Sequence, residues 1–125
     1  MIVAVGVDTV AIARIADLLH KSPERFPRRL FTADEIAFCE SRPHPAESFA
    51  ARFCAKEAVM KCLGTGWTAG LAFRQIEVAR GPTGAVSIRL SGAAAERAQQ
   101  LGIRRWHLSL THDAGAATAF VVAEA

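Results

Sequence analysis

Residues 52–67 read RFCAKEAVMKCLGTGW. Phe53, Cys54, Ala55, Ala58, Val59, Met60, Cys62 and Leu63 leave a helix here little polar surface, so the stretch reads as a long central helix packed on most sides. It nevertheless carries Arg52, Lys56, Glu57 and Lys61, and it runs into Gly64-Thr65-Gly66. At about 100° per residue, Phe53, Glu57, Met60 and Gly64 share one stripe, which sets the Glu57 carboxylate between large apolar neighbours. A buried carboxylate needs a cation, a metal or a proton. Lys61 lies four residues on in the favourable order, and a plain surface pair of that kind contributes only ~0.3–0.5 kcal/mol. Both readings of Glu57 stand from this stretch alone. Gly64 suits a left-handed helix cap. The glycine corner follows the helix, where the dipole end is negative, so it is not a P-loop. A ligand brought close to that corner would take its positive charge from Lys56 and Lys61.

Working outward, Pro45 suits the first turn of this helix, which ends near Leu63. Upstream, Ile2 to Val7 is β-branched and apolar and predicts a buried strand ending at Asp8. Residues 9–20 switch to helical spacing, and Lys21-Ser22-Pro23 ends them. Residues 24–31, ERFPRRLF, form a basic and aromatic connector, and Thr32-Ala33-Asp34-Glu35 fits a capping box for a helix to about Glu40. Downstream, strands are predicted over 72–80 and 85–90, joined at Gly81-Pro82-Thr83-Gly84. Ser91 can cap a helix over 92–101 that Gly102 closes. Trp106 to His112 alternates as a strand, Asp113-Ala114-Gly115 turns it, and Ala116 to Val122 follows as the last strand. Without regular βαβ alternation, the order is α+β: one domain over residues 1–125, an antiparallel sheet packed against the long helix.

The bulk numbers agree with one compact domain. The chain has 125 residues, 51% of them hydrophobic, enough for a substantial core. A net charge of +3 suits acidic or phosphate-bearing partners without requiring nucleic acid. The Arg25 to Arg29 cluster alone would support a basic nucleic-acid-binding module, but no groove-reading motif accompanies it. Three cysteines, Cys39, Cys54 and Cys62, lack metal or redox spacing and read as reduced thiols. The start has no basic signal region, and no run reaches the ~18 apolar residues of a membrane span. A cytoplasmic protein is expected.

Two further groups can carry chemistry. Asp8 is either the N-cap of the following helix, with Thr9 as competitor, or a carboxylate at a strand tip facing a ligand. Two carboxylates from separate elements suit Mg²⁺ better than zinc, because Mg²⁺ completes its shell with water and phosphate oxygens. Ser109, Thr111 and His112 sit in a run with Asp113, but there is neither a nucleophile elbow nor a triad order. His112, at the strand end, is a candidate ligand contact or a structural histidine.

Four segments then carry a resemblance over nearly the whole chain: VAVGVDTVAIARI, FPRRLFTADEI, RFCAKEAVMKCLGTG and LSLTHDAGAATAFVV. Together they resemble the holo-[acyl-carrier-protein] synthases, the small single-domain 4′-phosphopantetheinyl transferases. That pattern runs G-x-D, R-x-[FL]-[TS]-x-x-E, RF-x-AKEA-x-x-K-x-x-G-x-G and S-x-[ST]-H. Thr9, Cys54 and Cys62 depart from it, and no charged position does. The resemblance implies transfer of phosphopantetheine from coenzyme A to a serine of apo acyl carrier protein, with release of 3′,5′-ADP, in support of fatty acid biosynthesis. It implies that Asp8 and Glu57 hold Mg²⁺, that Arg52 and Lys61 contact coenzyme phosphates, and that Gly64, Thr65 and Gly66 line the cleft near His112. Glu57, directly or through a water, is the candidate to take the serine proton. The family is typically a homotrimer with clefts between subunits, and its acidic carrier docks on the first helix and the basic segment, here Arg14, Lys21, Arg25 and Arg28. A Mg²⁺-dependent phosphohydrolase is the rival enzymatic reading.

Overall fold

A computed structural model describes residues 1–64 and 70–125. The elements are β1 (Ile2–Ala11), α1 (Ile12–Lys21), α2 (Arg25–Leu30), α3 (Ala33–Glu40), α4 (Pro45–Leu63), β2 (Ile76–Arg80), β3 (Val86–Leu90), α5 (Gly92–Gln100), β4 (Arg105–Asp113) and β5 (Ala116–Glu124). They form the expected α+β fold. β1, β5 and β4 make an antiparallel sheet in that order, and β2 and β3 make a separate hairpin. No helix among the described residues is long and apolar enough to cross a membrane.

The sheet lays one face on α4. Small residues allow this, since Ala117, Ala119, Val121 and Ala123 of β5 and Ala51, Cys54, Ala55, Ala58 and Val59 of α4 are all buried. Gly6 of β1 marks the tightest approach. A Cβ built there would stand 2.2 Å from the Ala58 carbonyl oxygen and 3.2 Å from Cys62 Sγ. Gly6→Ala is therefore expected to cost roughly 1–3 kcal/mol, because backbone must move to admit the methyl group. Urea denaturation checks this, and a variant as stable as wild type would show that β1 leaves α4 freely. The opposite sheet face exposes Val3, Val5, Val7 and Phe120.

Several sequence expectations hold. The capping box forms: the Glu35 amide donates to Thr32 Oγ1 at 3.3 Å, and the Thr32 amide donates to Glu35 Oε1 at 3.0 Å. Pro45 opens α4, and Gly64 closes it at φ 74°, with its amide bonded to the Met60 carbonyl at 3.0 Å. The three cysteines are free and buried, and burial pushes the Cys39 and Cys54 thiols up to about 12 and Cys62 to about 11.

Other expectations are corrected. β1 does not stop at Asp8 but continues to Ala11, because Thr9, Val10 and Ala11 pair with Thr118, Ala117 and Ala116. Asp8 is therefore neither a strand tip nor a cap; Ala11 occupies the N-cap of α1 without a side-chain bond. Thr9 instead donates to the Ala117 carbonyl at 3.0 Å. Within the connector, residues 25–30 are helical. Residues 73–75 form a single 3₁₀ turn before β2 rather than strand. Ser91 gives α5 no side-chain cap; Gln75 Oε1 accepts the Ala94 amide at 3.2 Å in its place.

Candidate active site

The strand period turns Gly6, Asp8 and Val10 toward α4. Asp8 meets Lys61 there. Lys61 Nζ donates to the Val7 carbonyl at 2.8 Å and lies 3.4 Å from Asp8 Oδ1. The ammonium thus bridges to another element, and the i, i+4 pair with Glu57 is not formed. Glu57 is half-buried on the same flank of α4, and its carboxylate makes no hydrogen bond or ion pair among the described residues. Burial raises its pKa, the negative charge of Asp8 raises it further, and Lys61 and Arg14 pull it down. Arg14 reaches this flank by standing over the Phe53 ring at 5.9 Å, and Phe53 in turn stacks on Phe73.

The Glu57 carboxyl feels the negative charge of Asp8, and with cations at the edge the two carboxylates are suited to a divalent metal. Among the described residues no third His, Cys, Asp or Glu completes a cluster. Two hard oxygen ligands fit Mg²⁺, which leaves positions for water and phosphate oxygens, and they do not fit a closed zinc site.

Arg52 belongs to a second cluster. It is only 4% exposed, and its guanidinium lies 4.4 Å above the Phe38 ring. Arg80 and Arg42 stand over the same ring at 4.8 and 5.6 Å. Arg52 Nε is buried without a hydrogen-bond partner among the described residues. Burial lowers the Arg52 pKa, and the charge of Arg80 adds to the effect. A cavity of about 290 Å³ opens here, lined in part by Arg42, His44, Glu47, Arg52, Arg80 and His112. His112 Nδ1 lies 3.2 Å from Glu47 Oε2, on the first turn of α4. Three guanidinium groups, an orphaned donor and a histidine have the chemistry to receive an anion such as a phosphate. Sequence reading identified Arg52 and His112 but missed Arg42 and Arg80. Neither lies in a motif or on a helical stripe; packing of α3 and β2 on α4 brings them in.

Lys56 corrects an expectation. It is fully buried, and its three N–H groups go to Glu35 Oε1 at 2.7 Å, the Phe73 carbonyl at 3.0 Å and the Ile76 carbonyl. No donor is left for a coenzyme, so Lys56 is structural. Burial lowers its pKa, and Glu35 opposes the shift. Glu35, expected only as a cap, also accepts the Val78 amide at 3.0 Å. One carboxylate therefore ties α3, α4 and β2 together.

A groove of about 450 Å³ between α1, α2 and residues 72–73 is lined by Leu18, Phe26, Leu30 and Phe73 with Arg25 and Arg29; of the expected carrier-docking residues Arg25 lines it, and Arg14, Lys21 and Arg28 do not. Lys21 pairs with Asp17 at 3.0 Å and Arg28 with Glu24 at 3.9 Å, both exposed and therefore weakly held. Gly64 sits at the Lys61 end of α4; Thr65 and Gly66 lie outside the described residues.

Positions 52 and 57 are separated by ~140° around α4 and ~7.5 Å along it. The carboxylate pair and the guanidinium cluster thus occupy different faces of one helix.

A profile described as the 4′-phosphopantetheinyl transferase superfamily matches residues 4–121, and the chain belongs to that family. The holo-[acyl-carrier-protein] synthase of Koribacter versatilis (strain Ellin345) is 44% identical over 124 residues, which cover 99% of each chain. The crystal structure of the same-named enzyme from Neisseria meningitidis is similar with a TM-score of 0.90 at 33% identity, covering 100% of both chains. That of the Helicobacter pylori enzyme, in complex with coenzyme A, is similar with a TM-score of 0.84 at 33% identity, covering 97% of this chain and 100% of that one.

Proposed function

We propose that this chain is a Mg²⁺-dependent holo-[acyl-carrier-protein] synthase of the cytoplasm, which serves fatty acid biosynthesis. It moves phosphopantetheine from coenzyme A to a serine of apo acyl carrier protein and releases 3′,5′-ADP. The observation that carries the reading is the meeting of Asp8, Glu57 and Lys61 at the contact of β1 with α4. The reaction breaks a P–O bond of the coenzyme's pyrophosphate and forms one to the serine oxygen. Asp8 and Glu57 would hold Mg²⁺, whose charge stabilises the negative charge that builds on the pyrophosphate oxygens. Lys61 supplies a second positive contact to those oxygens. Glu57 would take the serine proton, directly or through a water. Arg52 and His112 hold the nucleotide's phosphate, with Arg42 and Arg80 adding charge. The Gly64, Thr65 and Gly66 corner gives the coenzyme room. Arg14, Lys21, Arg25 and Arg28 steer the acidic carrier, so the rate falls as salt rises.

The two clusters lie on different faces of α4, and one sheet face exposes Val5, Val7 and Phe120. A homotrimer joined through that face would bring the carboxylates of one subunit to the guanidinium cluster of its neighbour.

The test is incubation with coenzyme A, Mg²⁺ and apo carrier protein, followed by mass spectrometry of the carrier. A mass gain of one phosphopantetheine arm, lost on adding a chelator, is expected. Free phosphopantetheine with no gain on the carrier would instead mark a phosphohydrolase.

A further inference from the structure

Lys61 is placed unexpectedly for a residue that waits for a phosphate. Its side chain is 55% exposed and could extend into solvent. It folds back on β1 instead. There it donates to the Val7 carbonyl at 2.8 Å and approaches Asp8 Oδ1 at 3.4 Å. Two features of the fold make this contact available. Among the described residues β1 is an edge strand, paired with β5 alone in the sheet, so a carbonyl of β1 is free to accept from a side chain. Gly6 lets the second half of α4 press onto that edge.

The two distances differ in meaning. The bond to Val7 is of ordinary length and holds the ammonium in place, whereas the approach to Asp8 is long and its lysine half-exposed, an ion pair that is readily given up. If Asp8 is a metal ligand, its carboxylate cannot serve a metal fully while it also neutralises Lys61. We propose that Lys61 is an exchangeable counter-ion. It neutralises Asp8 in the free protein, gives Asp8 up when a divalent cation binds, and turns to the incoming phosphate while Val7 keeps it within reach. This rests on the reading that Asp8 and Glu57 hold a divalent cation.

The proposal predicts a change opposite to that expected for a lysine that only supports the loaded site. Without coenzyme A, Lys61→Met should bind divalent cations more tightly, by roughly two- to fivefold, the range of an exposed ion pair. The probe is Mn²⁺, titrated into the free protein and followed by electron paramagnetic resonance. Arg14→Met is the control, because Arg14 acts on Glu57 through space and makes no contact with Asp8. Tighter binding in Lys61→Met with a smaller change in Arg14→Met is the expected result. Unchanged or weaker binding in Lys61→Met overturns the exchange, and so does equal tightening in both variants, which general charge alone would give. In all these cases saturable wild-type binding that Asp8→Asn removes leaves the metal reading standing. Wild-type binding no better than that of Asp8→Asn overturns the metal reading and the exchange with it.

Discussion

Glu57→Gln is expected to lose transfer to apo carrier protein by roughly 10²-fold or more, the scale of removing a positioned acid–base group, while keeping its fold. The two parts of this expectation come from the same observation. Glu57 is half-buried beside the Asp8 carboxylate, and both effects raise its pKa above the usual carboxylate range. A raised carboxyl pKa means that the charged form is disfavoured in the folded protein. Its charge therefore opposes folding above that pKa, and stability is regained as pH falls through it. Glutamine mimics the protonated form, so the variant should be at least as stable as wild type at neutral pH. Activity depends on the opposite form, because only the carboxylate can hold a cation or accept a proton. The acid limb of the rate profile should accordingly lie above that of an ordinary glutamate at low Mg²⁺. It should move to lower pH as Mg²⁺ rises, since proton and cation compete for one group. Retained turnover in a folded Glu57→Gln would overturn the metal assignment.

The second large effect is on stability. Lys56→Met is expected to cost about 3–5 kcal/mol, because it leaves a buried carboxylate uncompensated. That is a large part of the ~5–15 kcal/mol that holds a typical domain. Glu35 is fully buried and bound by the Lys56 ammonium and by the Thr32 and Val78 amides. The carbonyls of Phe73 and Ile76 also lose the hydrogen bond from the ammonium. Replacing both charges by methionine should cost less than the sum of the single changes, because no lone charge remains. Urea denaturation of the two single variants and the double variant measures this. An intact fold with lost coenzyme A affinity in Lys56→Met would contradict the structural role and restore Lys56 to the coenzyme.

Much of the scaffold was legible locally. The capping box at Thr32 and Glu35, Pro45 at the start of α4 and Gly64 at its end are signals that lie within a few residues of their effect. The errors arose where a distant partner decides. Asp8 looks like a cap because helical spacing begins just after it, but β5 reaches far enough to keep Thr9 to Ala11 in the sheet. Lys56 and Lys61 are both lysines in one motif, and only packing separates them. Residues 73 and 76 close over Lys56, while Lys61 keeps an exposed side chain among the described residues and reaches β1. The guanidinium cluster was half visible. Arg52 and His112 fall in recognisable segments, whereas Arg42 and Arg80 join them only through tertiary packing around Phe38.

The central claim is that the Asp8–Glu57 site of one subunit and the Arg52–His112 cluster of another form one cleft. The direct measurement mixes two inactive variants, Glu57→Gln and Arg52→Met, as co-expressed oligomers and assays transfer to apo carrier protein. Random mixing in equal amounts gives roughly a quarter of the clefts both intact halves when each cleft draws on two subunits. Activity well above that of either parent, approaching that fraction of wild type, is the predicted result. Activity no greater than the average of the two pure variants would contradict the account and confine each cleft to a single chain.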